Sequence, residues 1–464
     1  IGYAALSNTS NSSAGNTAVG SYSLLSNTAS GNIAVGAYSL YNNTEGFSNV
    51  AIGTCQPSGY GAALEVNTTG DCNVAVGNGA LRSNTTADNN TAVGTLASGC
   101  NTTGTNNVAV GKTALQANTT GANHTAVGVL ALNKNTTSAD NTAVGRCAAY
   151  TNTTGSCLVA MGNNALRFNT TANANVAIGR DAMCANTTGA NGVAVGYGAL
   201  CKNTTGASNT AIGTDALTAN TTGGENVAVG SLALNCNTTG DQNVAIGRNS
   251  LDSNTTGAKN IAIGFKALCT NTTANINVAI GCGVLISNTT GANNSGIGSQ
   301  SLEDNTTGSD NTAVGVASGL SVTTGSNNLL LGHDAGRSNS PNTVTTGSDR
   351  IVLGNNSITN AYIRVDWTVT SDLRDKMNIE PIPHGLDFVN QLNPIKFNFK
   401  KDRDTEVAHG NKKYGFKAQD ILALEGEDNV IIDNEDPNSL KYIGSHLVPV
   451  LVNAIKELKA RIEV

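Results

Sequence analysis

Apolar and polar positions alternate in one short phrase that returns every seventeen residues. It runs Asn-(Val/Thr)-Ala-(Val/Ile)-Gly, two variable positions, Ala-Leu, two more, then Asn-Thr-Thr-Gly, and residues 107–121, NVAVGKTALQANTTG, show it cleanly. With the glycine after the strand as marker, the beat holds from Gly77 to Gly332 without a slip. Earlier copies stand at Gly2, Gly20, Gly36 and Gly53 and a late one at Gly354, with spacings changed by insertion or deletion. A short period kept over so many copies belongs to a solenoid or fibre, where each coil rests only on its neighbours.

Within a coil, Val108 and Val110 flank Ala109 with period two, which predicts a short strand with β-branched residues on one face and alanine on the other. Gly111 ends it where the backbone must bend or approach another chain segment closely. Ala114 and Leu115 predict a second short strand. Asn118-Thr-Thr-Gly121 predicts a turn, with an Asx-type hydrogen bond and a glycine free to take positive φ. Strand, bend, strand and turn make one coil of a parallel β-solenoid or β-roll, and the Asn columns before the strand and at Asn-Thr-Thr predict ladders of stacked amides. Coils stacked at strand spacing give a rod on the order of 100 Å long. So little apolar area fits inside one coil that several chains, three being the natural number, are expected to share a core.

Charged residues make up 12% and aromatics 4% of the 464 residues, too little for a large globular core, and the regular Val, Ile and Leu argue against disorder. The net charge of −6 without a basic run leaves nucleic acid out as a partner, and no apolar run reaches bilayer-spanning length. Ile1 already lies inside a repeat, so the chain is expected to start within a longer one, and a missing signal peptide says nothing about export. The ten cysteines lie between Cys55 and Cys282. Cys147 and Cys157 share columns with Cys55 and Cys72, and Cys184 and Cys201 stand in one column on adjacent coils. Disulfides in an oxidising exterior and small buried hydrophobes remain alternatives. No histidine stands at ligand spacing, so no metal or other cofactor is expected. Fifteen Asn-Thr-Thr copies, Asn67 to Asn305, match the N-glycosylation acceptor pattern, although the turn demands the same letters. Stacked threonines also raise an ice-binding array, weakened because adjacent strand residues face opposite sides.

The Asn-x-Ala-x-Gly-x-x-Ala phrase resembles the head repeats of trimeric autotransporter adhesins, and equally repeats in tail fibres of bacteriophages and large algal viruses. The resemblance covers residues 1–337, although the adhesin repeats are shorter. It implies a homotrimeric parallel β-roll. Residues 338–370 form a transition holding the strand-like Arg350-Ile-Val-Leu-Gly354 and Ala361-Tyr-Ile-Arg-Val-Asp-Trp367.

From Ser371 the composition changes: residues 371–464 hold half of all charged side chains and no cysteine, which marks a small α+β domain. Ser371-Asp-Leu-Arg-Asp-Lys-Met-Asn-Ile379, Tyr414-Gly-Phe-Lys-Ala-Gln-Asp420 and the closing stretch His446 to Lys459 resemble the intramolecular chaperone domain of phage endosialidases and tail fibres, peptidase family S74. Read alone, Ser371 is a helix N-cap and Lys376 a solvated lysine. The resemblance implies instead that the chain cuts itself between Thr370 and Ser371, with Ser371 as nucleophile and Lys376 as general base, a single-turnover reaction on itself. Leu447, Leu451, Ile455, Leu458 and Ile462 form a short coiled-coil seam, too short to hold a trimer alone.

The expected function is a homotrimeric virus or phage fibre that meets a host receptor or glycan, located on the virion or outside the cell. A secreted or cell-surface adhesin with the same chaperone is the alternative. A depolymerase ranks below both, since no acid pair stands out from the repeat.

Overall fold

The computed structural model describes residues 1–7, 13–55, 61–337, 340, 342–362, 364, 370–400, 405–426, 429–435, 437–438 and 440–463. They form two compact units, Ile1–Asn355 and Asn356–Val464.

The first unit is one parallel sheet of twenty three-residue strands, β1 (Thr17–Val19) to β20 (Ile351–Leu353), each paired in register with the next. In β6 (Val108–Val110), Ala109 pairs with Ala92 below and Ala126 of β7 (Thr125–Val127) above. Twenty rungs at strand spacing make a rod of roughly 90 Å. The longer connections before β4 (Val74–Val76) and β20 leave the register intact: Val50 pairs with Val74, and Leu329 with Ile351. Ile351–Leu353, read from sequence as transition, thus stacks as a rung of the rod. Ala361–Trp367 falls largely outside the described residues.

Each coil closes its own core. Ala109, Ala114 and Leu115 have no exposed surface, and the same three columns recur along the rod. A core shared between chains is therefore not what fills the coil. The expected second strand is also absent, because Ala114 and Leu115 lie in turns. Thr113, Leu115 and Asn123 take φ of 56°, 51° and 61°, a left-handed conformation that costs a non-glycine residue about 1 kcal/mol or more. Stacking compensates, since the amides of these left-handed residues find carbonyls one coil away: Thr113 N donates to Thr95 O and Leu115 N to Ala131 O, both at 2.9 Å, and Asn123 N to Thr105 O at 3.1 Å.

The glycines divide by role. Gly111 has φ +133°, and a Cβ there would lie 2.6 Å from Gly128 O in the next coil. Gly121 does not have the positive φ expected of it. It is small because a Cβ would press on Ser138 O and Asn118 Oδ1.

Two asparagine ladders hold the coils together. In the first, Asn118 Nδ2 donates to Asn101 Oδ1 of the coil below and to Gly121 O of its own turn, both at 2.8 Å. Side-chain links of this kind run from Asn27 to Asn305. The ladder stops there: Val322 takes the next place, and Asn305 Oδ1 has no partner among the described residues. In the second, the amide oxygen of Asn107 accepts the backbone N–H of His124 at 3.0 Å, and Asn107 Nδ2 donates to the same Gly121 O at 3.0 Å. His124 stands in for an asparagine: Asn141 N donates to its Nδ1 at 3.3 Å, and its Nε2 meets Ser138 O at 2.9 Å.

Replacing Asn186 by Leu removes its donations to Asn169 Oδ1 and Gly189 O and strands the amide of Asn203. It should destabilise the rod by about 2–4 kcal/mol, while Thr188→Ala at the exposed neighbour stays within about 0.5 kcal/mol, as read from denaturant midpoints. Burial lowers the His124 pKa below its ordinary value. The unfolded chain therefore takes up this proton first, so the coil loses stability as pH falls below about 6.5. Protection from hydrogen exchange around Asn141, taken relative to the intrinsic rate at each pH, should fall there and should stay constant over this range in His124→Asn.

Candidate functional site

The second unit packs helices α1 (Leu386–Gln391), α2 (Ala418–Glu425) and α3 (Gly444–Ile462) with the hairpins β21–β22 (Ile395–Lys400, Ala408–Gly415) and β23–β24 (Ile432–Asp433, Lys441–Tyr442). Its core is Phe388, Ile421, Ile431, Ile432, Leu447 and Val450. The Glu425 carboxylate, buried at the end of α2, accepts the backbone N–H groups of Val430, Ile431 and Ile432 and so shapes the return to the sheet. Glu457 on α3 accepts Leu386 N at 2.7 Å, and Asn453 donates to His384 O at 2.9 Å, so the last helix is tied to the entry of the first.

Ahead of this core, residues 370–382 are exposed. One turn of 3-10 helix, Leu373–Asp375, folds the segment back on itself. Its N-cap is Asp372, one residue later than the sequence suggests. Asp372 Oδ1 accepts Arg374 N at 2.9 Å, and its carboxylate also pairs with the Arg374 guanidinium at 2.6 Å. The side-chain bond from Arg374, followed by the backbone bond, lowers the Asp372 pKa. Lys376 closes the turn with its backbone N–H on Leu373 O at 3.2 Å, and its ammonium then reaches 2.9 Å from Ser371 Oγ. The turn thus brings together a hydroxyl and an amine that stand five positions apart. Thr370, the residue before the serine, is exposed beside them. In a single copy both side chains of the pair face water.

A separate cleft in this unit is lined by Glu380, His384, Glu425, His446 and Pro449. His384 stacks on Phe388 at 4.3 Å, and its buried Nε2 has no partner among the described residues. No cluster of three or more His, Cys, Asp or Glu side chains able to hold a metal occurs among the described residues, and no helix there is long and apolar enough to cross a membrane. In the rod, Cys72, Cys147, Cys157, Cys184 and Cys201 carry free thiols, and of these only Cys147 is buried. Cys184 and Cys201 do meet across adjacent coils: the hydrogen bond from Cys184 draws the Cys201 thiol down to about 7 and pushes its own pKa up. The first threonine of each Asn-Thr-Thr donates its hydroxyl to the next coil, as Thr119 does to Thr136 O at 3.1 Å.

The structure places the two residues singled out by sequence, Ser371 and Lys376, within hydrogen-bond distance, whereas the roles of Asp372 and Glu425 in shaping this unit are not marked in the sequence reading. The Asp-x-Arg spacing was the available signal for the first. The targets of Glu425 are backbone groups that no letter marks. Because the Asp372 pKa is lowered, its cap persists at ordinary pH and is lost as pH falls through that lowered value, below the usual carboxylate pKa of about 3.9. The Arg374 amide resonance should shift only in that acid range, and Asp372→Ala should remove the transition.

No curated protein matches the chain. Residues 371–431, which contain the turn, the hairpin and α2, match the family Peptidase_S74, chaperone of endosialidase. The protein is thus a β-solenoid of about seventeen-residue coils followed by a C-terminal segment, residues 371–431, that matches the endosialidase-chaperone family.

Proposed function

We propose that this chain is a homotrimeric fibre for host attachment on a virus or phage, folded in register by its C-terminal domain and then released from it by self-cleavage. The observation that carries the reading is an apolar column along the outside of the rod. The residue before each strand-ending glycine points away from its own coil and stays part-exposed, as in Val110 at 36%, Ile178 at 38%, Ile212 at 40% and Ile246 at 38%. The residue two places earlier adds a second column, with Val108 at 36% and Ile261 at 37%. A continuous apolar stripe of this length on a soluble rod calls for a partner. A second and third copy of the same rod offer the same stripe at the same spacing. The last helix supports the reading: Leu447 faces its own core, while Leu451, Ile455, Leu458 and Ile462 stay exposed.

In the proposed cleavage, neutral Lys376 takes the proton of Ser371 Oγ, which attacks the Thr370 carbonyl carbon. The Thr370–Ser371 C–N bond breaks as the nitrogen gains that proton, leaving an ester. Water then hydrolyses the ester to the Thr370 carboxylate and the free serine. A lysine is neutral near pH 7 only where water is excluded or positive charge crowds it. The pair is open to water in one copy, so assembly is the step that would arm it. A secreted adhesin would use the same parts, and an upstream anchor would distinguish it.

Light scattering should give the uncut Ser371→Ala protein a mass of three chains of 46.9 kDa each. Wild type should yield fragments 1–370 and 371–464 by mass spectrometry, while Ser371→Ala and Lys376→Met remain whole. A folded monomer would end the trimer reading, and a folded wild-type trimer that stays uncut would end the Ser-Lys reading.

A further inference from the structure

Every asparagine of the fifteen Asn-Thr-Thr motifs, Asn67 to Asn305, has no exposed surface. Its amide hydrogens are also committed. Asn186 Nδ2 donates to Asn169 Oδ1 at 3.0 Å and to Gly189 O at 2.9 Å, and Asn220 Nδ2 donates to Asn203 Oδ1 and Gly223 O, both at 2.8 Å. Asn135 keeps the inter-coil bond to Asn118 at 3.0 Å, and its Nδ2 packs 3.0 Å from His124 Nε2. The second threonine, whose hydroxyl completes the acceptor pattern, lies exposed, as Thr120 and Thr188 show.

N-glycosylation joins Nδ2 to C1 of a sugar, breaks the bond from C1 to the pyrophosphate of a lipid carrier, and releases lipid pyrophosphate with one amide proton. The product keeps a single N–H, so one of the two ladder bonds must go. Its first sugar ring would also need the volume filled by the coils on either side. In the unfolded chain nothing hides the motif.

We propose that these asparagines are N-glycan acceptors only before the coils stack, so that glycosylation and rod folding exclude each other. The chain then folds only where no lipid-linked oligosaccharide reaches it during synthesis. The claim concerns the rod alone and holds whether or not three copies associate.

The full chain, fitted with a secretion signal, can be made in a eukaryotic secretory cell with and without an inhibitor of lipid-linked oligosaccharide synthesis. A variant with the second threonine of all fifteen motifs changed to alanine keeps every ladder asparagine and lacks the acceptor pattern at those fifteen asparagines, while Asn89-Asn-Thr91, Asn123-His-Thr125 and Asn293-Asn-Ser295 keep it in every arm. Uninhibited wild type should carry glycans on Asn-Thr-Thr, and loss of one buried hydrogen bond per modified coil should reduce protease-resistant rod about tenfold or more. The inhibited wild type and the threonine variant should both give resistant rod with no sugar on the ladder asparagines. A resistant rod with sugar on these asparagines would overturn the proposal. So would uninhibited wild type that escapes modification, or a chain that fails to fold in all three arms, since sugar would then not be the obstacle.

Discussion

A buried primary amide must place two hydrogens and an oxygen, and along the Asn-Thr-Thr column it does so on the asparagines of the coils above and below and on a carbonyl of its own turn. The rest of the rod follows from that requirement. Asn118 links Asn101 to Asn135, and Gly121 O gathers donors from Asn118 and Asn107, so the two ladders meet at one carbonyl wherever both columns hold asparagine in this way. An unsatisfied amide at this depth costs several times what a satisfied one contributes. The period is accordingly kept most strictly at Asn, at the strand-ending Gly and at the small residue after Thr-Thr. Variation collects at positions that face water. Where a ladder position does change, its surroundings change with it: Gly192 replaces an asparagine, and Met183 fills the space, its Cε 2.5 Å from where a Cβ would stand.

The same requirement creates a weakness. Bonds that are alike at every rung carry no address, so two rods set side by side gain nearly as much when offset by a coil as when level. The outer stripe of Val and Ile repeats just as evenly. On the proposed reading, the C-terminal domain, of different composition and with a helix whose outer seam is left open, would supply the landmark that the repeat lacks. On this reading the S74-family segment and the repeat are two halves of one folding problem, and removal of the domain would leave an assembly held by its unfolding barrier.

The beat of the sequence revealed the strand, its face pattern, the parallel stacking and both asparagine columns, because each follows from periodicity and side-chain valence. It misled at Ala114–Leu115, where two adjacent apolar residues looked like a strand. The structure instead buries both from a turn with Leu115 in a left-handed conformation, which stacking alone makes tolerable. It also misled on the core, since alanine beside leucine packs a coil this narrow to full closure without help from another chain. Gly121 looked like a residue chosen for φ and is one chosen for space. At the tail, Ser371 and Lys376 were legible through a motif, whereas the turn that joins them depends on the Asp372 carboxylate capping one residue later than expected.

The most direct test of the account is a cryo-electron microscopy reconstruction of the uncut Ser371→Ala fibre at a resolution that shows side chains. The account predicts three copies with Gly111 of each at one height and the Val110 column turned toward the other copies. Copies displaced by seventeen residues, or a single rod with its Val and Ile stripe in solvent, would contradict it.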